Sequence, residues 1–269
     1  GRTKATAGTS TSSTLKVPPS KPAVTPDCRN PPGASRVTGS AIIGWMLYLS
    51  GFVFALGLAF QIVRYVRAPA PLRIPVTPAP TTRAGVVVRL GREVILFESL
   101  FKASRWTWLF GWLFHFGFAW LALGHLSFFV PGGWLPLELA AGTMSVAGWM
   151  SAAALVGLAA RRALVDRVRY VTVPSDYLML VLLLAIVLTG LVMAASSEVN
   201  VLAVKAYVQG LYAGYVSGLP DVGLLMVHIA LACCLAAVFP FSKLLHAPGV
   251  FFSPTRVQVD DARVRRDRA

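Results

Sequence analysis

His115, His125, His228 and His246 are all the histidines of this 269-residue chain, and each sits in an apolar segment. Histidine in hydrocarbon is costly to keep and marks a functional position. His115 and His125 share one segment, and His228 and His246 bracket another. Bis-imidazole ligation takes one ring from each face of a porphyrin, so two pairs on two helices have the arrangement that holds two six-coordinate b-type haems. Among the alternatives, one non-haem ion could not reach both pairs. A histidine proton relay in a transporter predicts acidic or broken helices at mid-depth, and the apolar spans carry no internal carboxylate. A plain structural anchor predicts no visible absorbance.

The elements that must position these residues follow from composition. The chain is 56% hydrophobic and 13% charged, with a mean hydropathy of +0.66. A soluble domain carries about 25% charged residues. Five stretches lack charge for the length a bilayer demands. They predict an all-α integral membrane protein with five transmembrane helices, over 41–63, 106–130, 137–160, 176–197 and 221–246. A β-barrel would instead show alternation in short segments.

The net charge of +14 does not point to nucleic acid, because the charges lie in connectors and tails. Eight lysines and arginines fall between Arg64 and Arg105, four between Arg161 and Arg169, and six between Lys243 and Arg268. The other side holds six ahead of the first helix, plus Lys205. The positive-inside rule then predicts the amino terminus outside and the carboxyl terminus in the cytoplasm.

Residues 1–40 are rich in Ser, Thr, Pro and Gly and predict a disordered extension with no standard signal peptide. The five-helix domain spans 41–261, with a cytoplasmic connector over 64–105 and a basic tail over 262–269. The connector's first half is proline-rich. Its second half, 86–101, has apolar residues at helical spacing and predicts an amphipathic helix. The outer loop 198–221 predicts a short surface helix. Cys233 and Cys234 read as small packing residues, and Cys28 stands without a partner. No CxxCH is present, which excludes covalent c-type haem.

Antiparallel packing of the second and fifth helices pairs His125 with His228 and His115 with His246. Ten residues of helix rise about 15 Å, and eighteen rise about 27 Å. The two spans therefore differ by about 12 Å, and Pro240 predicts a kink in the fifth helix that absorbs part of this. Gly117 and Gly124 flank the histidines and predict close approach to a flat macrocycle. Arg105 and Lys243, with Lys102, Arg161 and Arg162, are candidate partners for propionates at the inner face. Glu138, Lys205 and Asp221 are candidate quinone or proton contacts at the outer face.

The spacings of ten and eighteen, with Gly124 beside His125, resemble the γ (cytochrome b) subunit family of respiratory nitrate reductases. The stretches APLRIPVTPAPTTRAGVVVRLGREVILFESLFKASRWTWLFGWLFH (70–115), ARRALVDRVRYVTVPSDYLML (160–180) and VFPFSKLLHAPGVFFSPTRVQVDD (238–261) are closer to the DsrM family, the membrane cytochromes b of sulfite-reduction-associated Dsr complexes. That resemblance covers 41–261. It implies two b haems and exchangeable menaquinone in a bacterial cytoplasmic (inner) membrane protein. Menaquinol would react near the outer haem. Electrons would pass to a cytoplasmic iron–sulfur subunit related to heterodisulfide reductase, within dissimilatory sulfur metabolism. The implied partners also include an outer multihaem cytochrome c, a second membrane subunit and an iron–sulfur ferredoxin-like subunit. The quinone-site lysine of the nitrate reductase family, on helix three, has no match here; Glu138 is the ionisable residue near that helix's outer end.

Overall fold

The computed structural model describes residues 34–69, 78–130, 137–216, 218–253 and 255–260, together with Gly1. Most of the 1–40 extension, residues 70–77 of the connector, Cys28 and the tail 262–269 lie outside the described residues.

Every regular element among the described residues is helical: α1 (Ala34–Arg67), α2 (Arg83–Leu96), α3 (Glu98–Ala103), α4 (Arg105–Phe129), α5 (Leu137–Leu164), α6 (Asp166–Tyr170), α7 (Pro174–Ser196), α8 (Val201–Tyr212), α9 (Gly223–Val238), a 3₁₀ turn (Phe239–Phe241) and α10 (Ala247–Phe252). Five have the length and apolarity to cross a membrane: Gly39–Arg67, Arg105–Phe129, Gly142–Leu164, Pro174–Ser196 and Gly223–Phe241. Their outer faces expose Trp45, Leu49, Phe52, Phe60, Trp149 and Leu178, apolar surface suited to lipid. The chain is a multi-pass, all-helical membrane protein.

Local sequence explains where the helices start. Ser104 caps α4, accepting from Thr107 N–H at 3.4 Å. Asn200 caps α8 through Ala203 N–H at 3.1 Å, and Thr82 caps α2 through Gly85 N–H at 3.1 Å. Pro174 opens α7, where a missing N–H costs nothing, and Asp176 accepts from Val173 N–H at 3.1 Å.

The connector forms two helices where one was expected. Phe97 sits in the left-handed region (φ 51°) and separates α2 from α3. The break is held by α4: Trp108 Nε1 donates to Leu96 O at 2.7 Å and Trp112 Nε1 to Ile95 O at 3.1 Å. Two indoles thus satisfy carbonyls that the end of α2 leaves open.

The fifth spanning helix is also shorter than expected. α9 stops at Val238, and Pro240 lies in the 3₁₀ turn that follows. Proline cannot donate to the carbonyl one turn back, and its ring clashes there. The expected kinked helix over 221–246 is therefore a broken one, and His246 stands beyond the break at the start of α10.

Backbone packing runs in the order α4, α5, α7, α9, α1. One core joins Phe114 of α4 with Ala152 and Leu155 of α5 and Leu183, Val187 and Leu191 of α7. A second joins Ile43 of α1 with Tyr207 and Leu211 of α8, Leu219 and Leu225. Tyr207 is fully buried and donates to Ser40 O at 2.6 Å, and Tyr48 OH donates to Leu211 O. These bonds fix α8 across the end of α1. In this packing order α4 and α9 are linked through α5 and α7 instead of sharing a broad backbone contact.

Candidate functional site

The four histidines come together as two pairs across the space between α4 and the α9–α10 segment. The ring centres of His125 and His228 are 6.2 Å apart, with 15° between their planes. Those of His115 and His246 are 5.6 Å apart, with 90° between planes. The pairs lie at opposite ends: His115 and His246 near α2 and α3, His125 and His228 near α8.

The hydrogen bonds orient all four rings alike. His115 Nδ1 donates to Gly111 O at 2.7 Å, and His125 Nδ1 to Leu121 O at 2.8 Å. His246 Nδ1 donates to Lys243 O at 3.3 Å. A carbonyl only accepts, so each of these Nδ1 atoms carries the proton. His228 Nδ1 meets Thr189 Oγ1 at 2.8 Å. The Thr189 hydroxyl is within 2.8 Å of Ala185 O and 2.9 Å of Ile186 O, so its proton goes to those carbonyls and its lone pair to His228. In every ring Nδ1–H is held and Nε2 remains as the basic nitrogen. That is the arrangement of metal-ligating histidines, in which the second nitrogen fixes tautomer and ring angle.

The donor set fits haem. A metal–imidazole bond of about 2 Å on each side separates two ring centres by about 6 Å, close to both pairs. The histidines meet in twos, the number of imidazoles a six-coordinate haem takes. α4 and α9 share no broad backbone contact, and the histidine rings meet across the space between them.

The glycines have a different task from the one expected. A Cβ on Gly117 would lie 2.3 Å from Ser151 Oγ and 3.0 Å from Ala147 O, and one on Gly124 2.3 Å from Met144 Sδ. Both belong to the contact of α4 with α5. Gly117 is two residues from His115, about 200° around the helix, which turns it to the opposite side. The glycine that does approach a histidine is Gly190, whose Cβ would sit 3.3 Å from His228 Cε1.

The expected propionate partners are engaged elsewhere. Lys243 Nζ is 3.0 Å from Asp176 Oδ1, and Arg162 is 3.5 Å from the same carboxylate. The Arg105 guanidinium lies 5.9 Å from the Phe101 ring centre. Lys102 pairs with Glu98 at 2.7 Å, which holds the Glu98 carboxyl below its usual range, and Arg161 donates to Ser104 Oγ at 3.3 Å. At the other end Lys205 is half-buried on α8 and Asp221 is exposed ahead of α9. The side chain of Glu138, in the first turn of α5, lies outside the described residues.

Sequence reasoning missed Thr189, Gly190, Asp176 and Phe97. Phe97 packs edge-on against His115 at 5.0 Å. The Thr189–Gly190 pair interrupts a long run of Leu, Ile and Val in α7, a signal present in the sequence.

The chain is similar over residues 98–268 to the family described as nitrate reductase gamma subunit. It is 33% identical to the Hdr-like menaquinol oxidoreductase cytochrome b-like subunit of Archaeoglobus fulgidus, over 81% of this chain and 80% of that protein. It is 29% identical to the protein of the same description from Archaeoglobus profundus, over 81% of this chain and 79% of that one. A chain matched by this family over more than half its length belongs to the nitrate reductase gamma subunit family.

Proposed function

We propose that this chain is the dihaem b-type cytochrome subunit of an Hdr-like menaquinol oxidoreductase. It spans the cytoplasmic membrane with its amino terminus outside. One haem lies between His125 and His228 near the outer face and one between His115 and His246 near the cytoplasm. The observation that carries the reading is the common tautomer of the four imidazoles, with two ring pairs at ligation distance.

Menaquinol oxidation releases two electrons and two protons. Haem at each pair supplies a one-electron carrier through hydrocarbon that no side chain can replace. The protein's part is to hold each imidazole with Nδ1–H donated away, so that Nε2 faces the gap. At the outer end, Lys205 on α8 and Asp221 ahead of α9 are the candidate contacts for a quinone headgroup or a departing proton, with Glu138 a candidate from the sequence alone. At the inner end, α2, α3 and α10 form the surface for a cytoplasmic acceptor. That acceptor is an iron–sulfur subunit related to heterodisulfide reductase, with a ferredoxin-like subunit, a second membrane subunit and an outer multihaem cytochrome c completing the assembly. The names of the two archaeal relatives support the menaquinol and Hdr-like part of this reading, and the DsrM-like stretches support a role in dissimilatory sulfur metabolism.

The test is a reduced-minus-oxidised spectrum with pyridine haemochrome quantification on the purified chain. About two b haems per chain, reducible by a menaquinol analogue, is the expected result. A colourless protein overturns the proposal.

A further inference from the structure

We infer that Thr189, on α7, is the positioning residue for His228 and sets the properties of the haem at the His125–His228 pair. This rests on the dihaem reading above.

Three of the four histidines are oriented by main-chain carbonyls of their own segment: Gly111 and Leu121, each one turn back, and Lys243, three residues back. A carbonyl cannot be changed by substitution. His228 differs. Its Nδ1–H is received by a side chain from another helix, Thr189 Oγ1 at 2.8 Å. A threonine in an apolar helix ordinarily does no more than return its hydroxyl to its own backbone. Thr189 does this, toward Ala185 O and Ile186 O, and the bond fixes its lone pair toward His228. Gly190 beside it lets α7 come close, since any Cβ there would stand 3.3 Å from His228 Cε1. Acceptor and clearance therefore come from adjacent positions of a helix that carries no ligand.

The consequence is electronic as well as geometric. An acceptor on Nδ1–H raises the basicity of Nε2 and strengthens its donation to the oxidised metal. Removing it weakens the bond to the ferric state more than to the ferrous one, which raises that site's midpoint potential. Loss of a group that orients a ligating histidine typically lowers metal affinity by about 10–100-fold.

The experiment compares wild type, Thr189→Val and Thr189→Ser by haem content, redox titration and electron paramagnetic resonance. Valine keeps the shape and removes the hydroxyl; serine keeps the hydroxyl. The expected Thr189→Val protein has one haem of weakened binding and raised potential and a second unchanged, with Thr189→Ser close to wild type. The unlike ring-plane angles of the two pairs, 15° and 90°, let resonance assign the altered signal. Thr189→Val with both haems and both potentials as in wild type overturns the inference, as does a shift confined to the His115–His246 site. If Thr189→Val does not accumulate in membranes, Thr189→Ala against Thr189→Ser gives the same contrast. A colourless wild type refutes the dihaem reading itself, a separate result.

Discussion

Asp176→Ala should weaken the haem site at one end and spare the other. His246 lies past the end of α9, so no long helix holds it. Its ring is oriented by Lys243 O, and the Lys243 side chain is tied to Asp176, whose own side chain is only 9% exposed. Asp176 also takes Arg162 at 3.5 Å and the Val173 N–H at 3.1 Å. The alanine variant loses all three. Lys243 is 67% exposed, so its ion pair is screened and contributes about 0.2–1 kcal/mol. The charge-assisted bond at the start of α7 adds about 1 kcal/mol. The Lys243 pair alone restrains the turn that presents His246, so the expected loss in affinity at that site is up to about fivefold.

The assay is haem titration of the stripped protein, with the potentials of the two sites followed separately. Asp176→Asn keeps an acceptor for Val173 N–H and loses the charge, so it should fall between wild type and alanine. Adding Lys243→Met to Asp176→Ala should cost little more, because the pair is already broken. The reasoning is refuted if Asp176→Ala binds haem at both sites as wild type does while His246→Ala loses one. An equal loss at both sites would instead make Asp176 a residue of the general fold.

Three further outcomes follow from the same coordinates. His246→Ala or His115→Ala should lower haem from about two per chain to about one, and His125→Ala or His228→Ala should remove the other, as pyridine haemochrome and resonance spectra will show. Gly117→Ala forces a Cβ against Ser151 Oγ and Ala147 O and should cost about 1–3 kcal/mol in the contact of α4 with α5, read as a lower thermal midpoint with unchanged spectra; an unaltered midpoint would count against that packing. Burial pushes the Tyr207 hydroxyl up to about 12 from the ordinary 10, so its contribution to stability is complete below pH 10 and is lost as pH rises through 12. Tyr207→Phe should remove that alkaline slope in thermal melts.

The spanning helices were legible because a bilayer demands long charge-free runs, and nothing else in the chain meets that demand. The pairing of the histidines was legible because the second and fifth spanning helices, run antiparallel, leave one arrangement that does not cross the membrane. The short helix α8 was legible from its apolar spacing. The end of α9 was not. The residues after Pro240, among them Leu244 and Leu245, stay apolar, so periodicity alone does not distinguish a kink from a stop. Nor was the partner of a glycine legible: Gly117 and Gly124 neighbour the histidines in sequence, yet the side chains they admit come from α5. Phe97 had no signal at all, since its left-handed backbone is imposed by two indoles from α4.

The break at Pro240 resolves a mismatch that the sequence posed. On α4 the two histidines are ten residues apart and rise about 15 Å; on an unbroken helix the other two would rise about 27 Å. α9 ends at Val238, a 3₁₀ turn and further turns lead to His246, and the two ring pairs lie at 6.2 Å and 5.6 Å. The closure has a cost, because a turn holds a ligand less firmly than a helix does. α7 supplies the restraint: Asp176 at its start anchors Lys243 beside His246, and Thr189 in its second half receives His228. α7 thus touches the His228 ring directly and, through Asp176 and Lys243, the turn that carries His246. Substitutions on its α9-facing side should shift haem properties more than equally conservative ones on its lipid-facing side, at Leu178 or Val181.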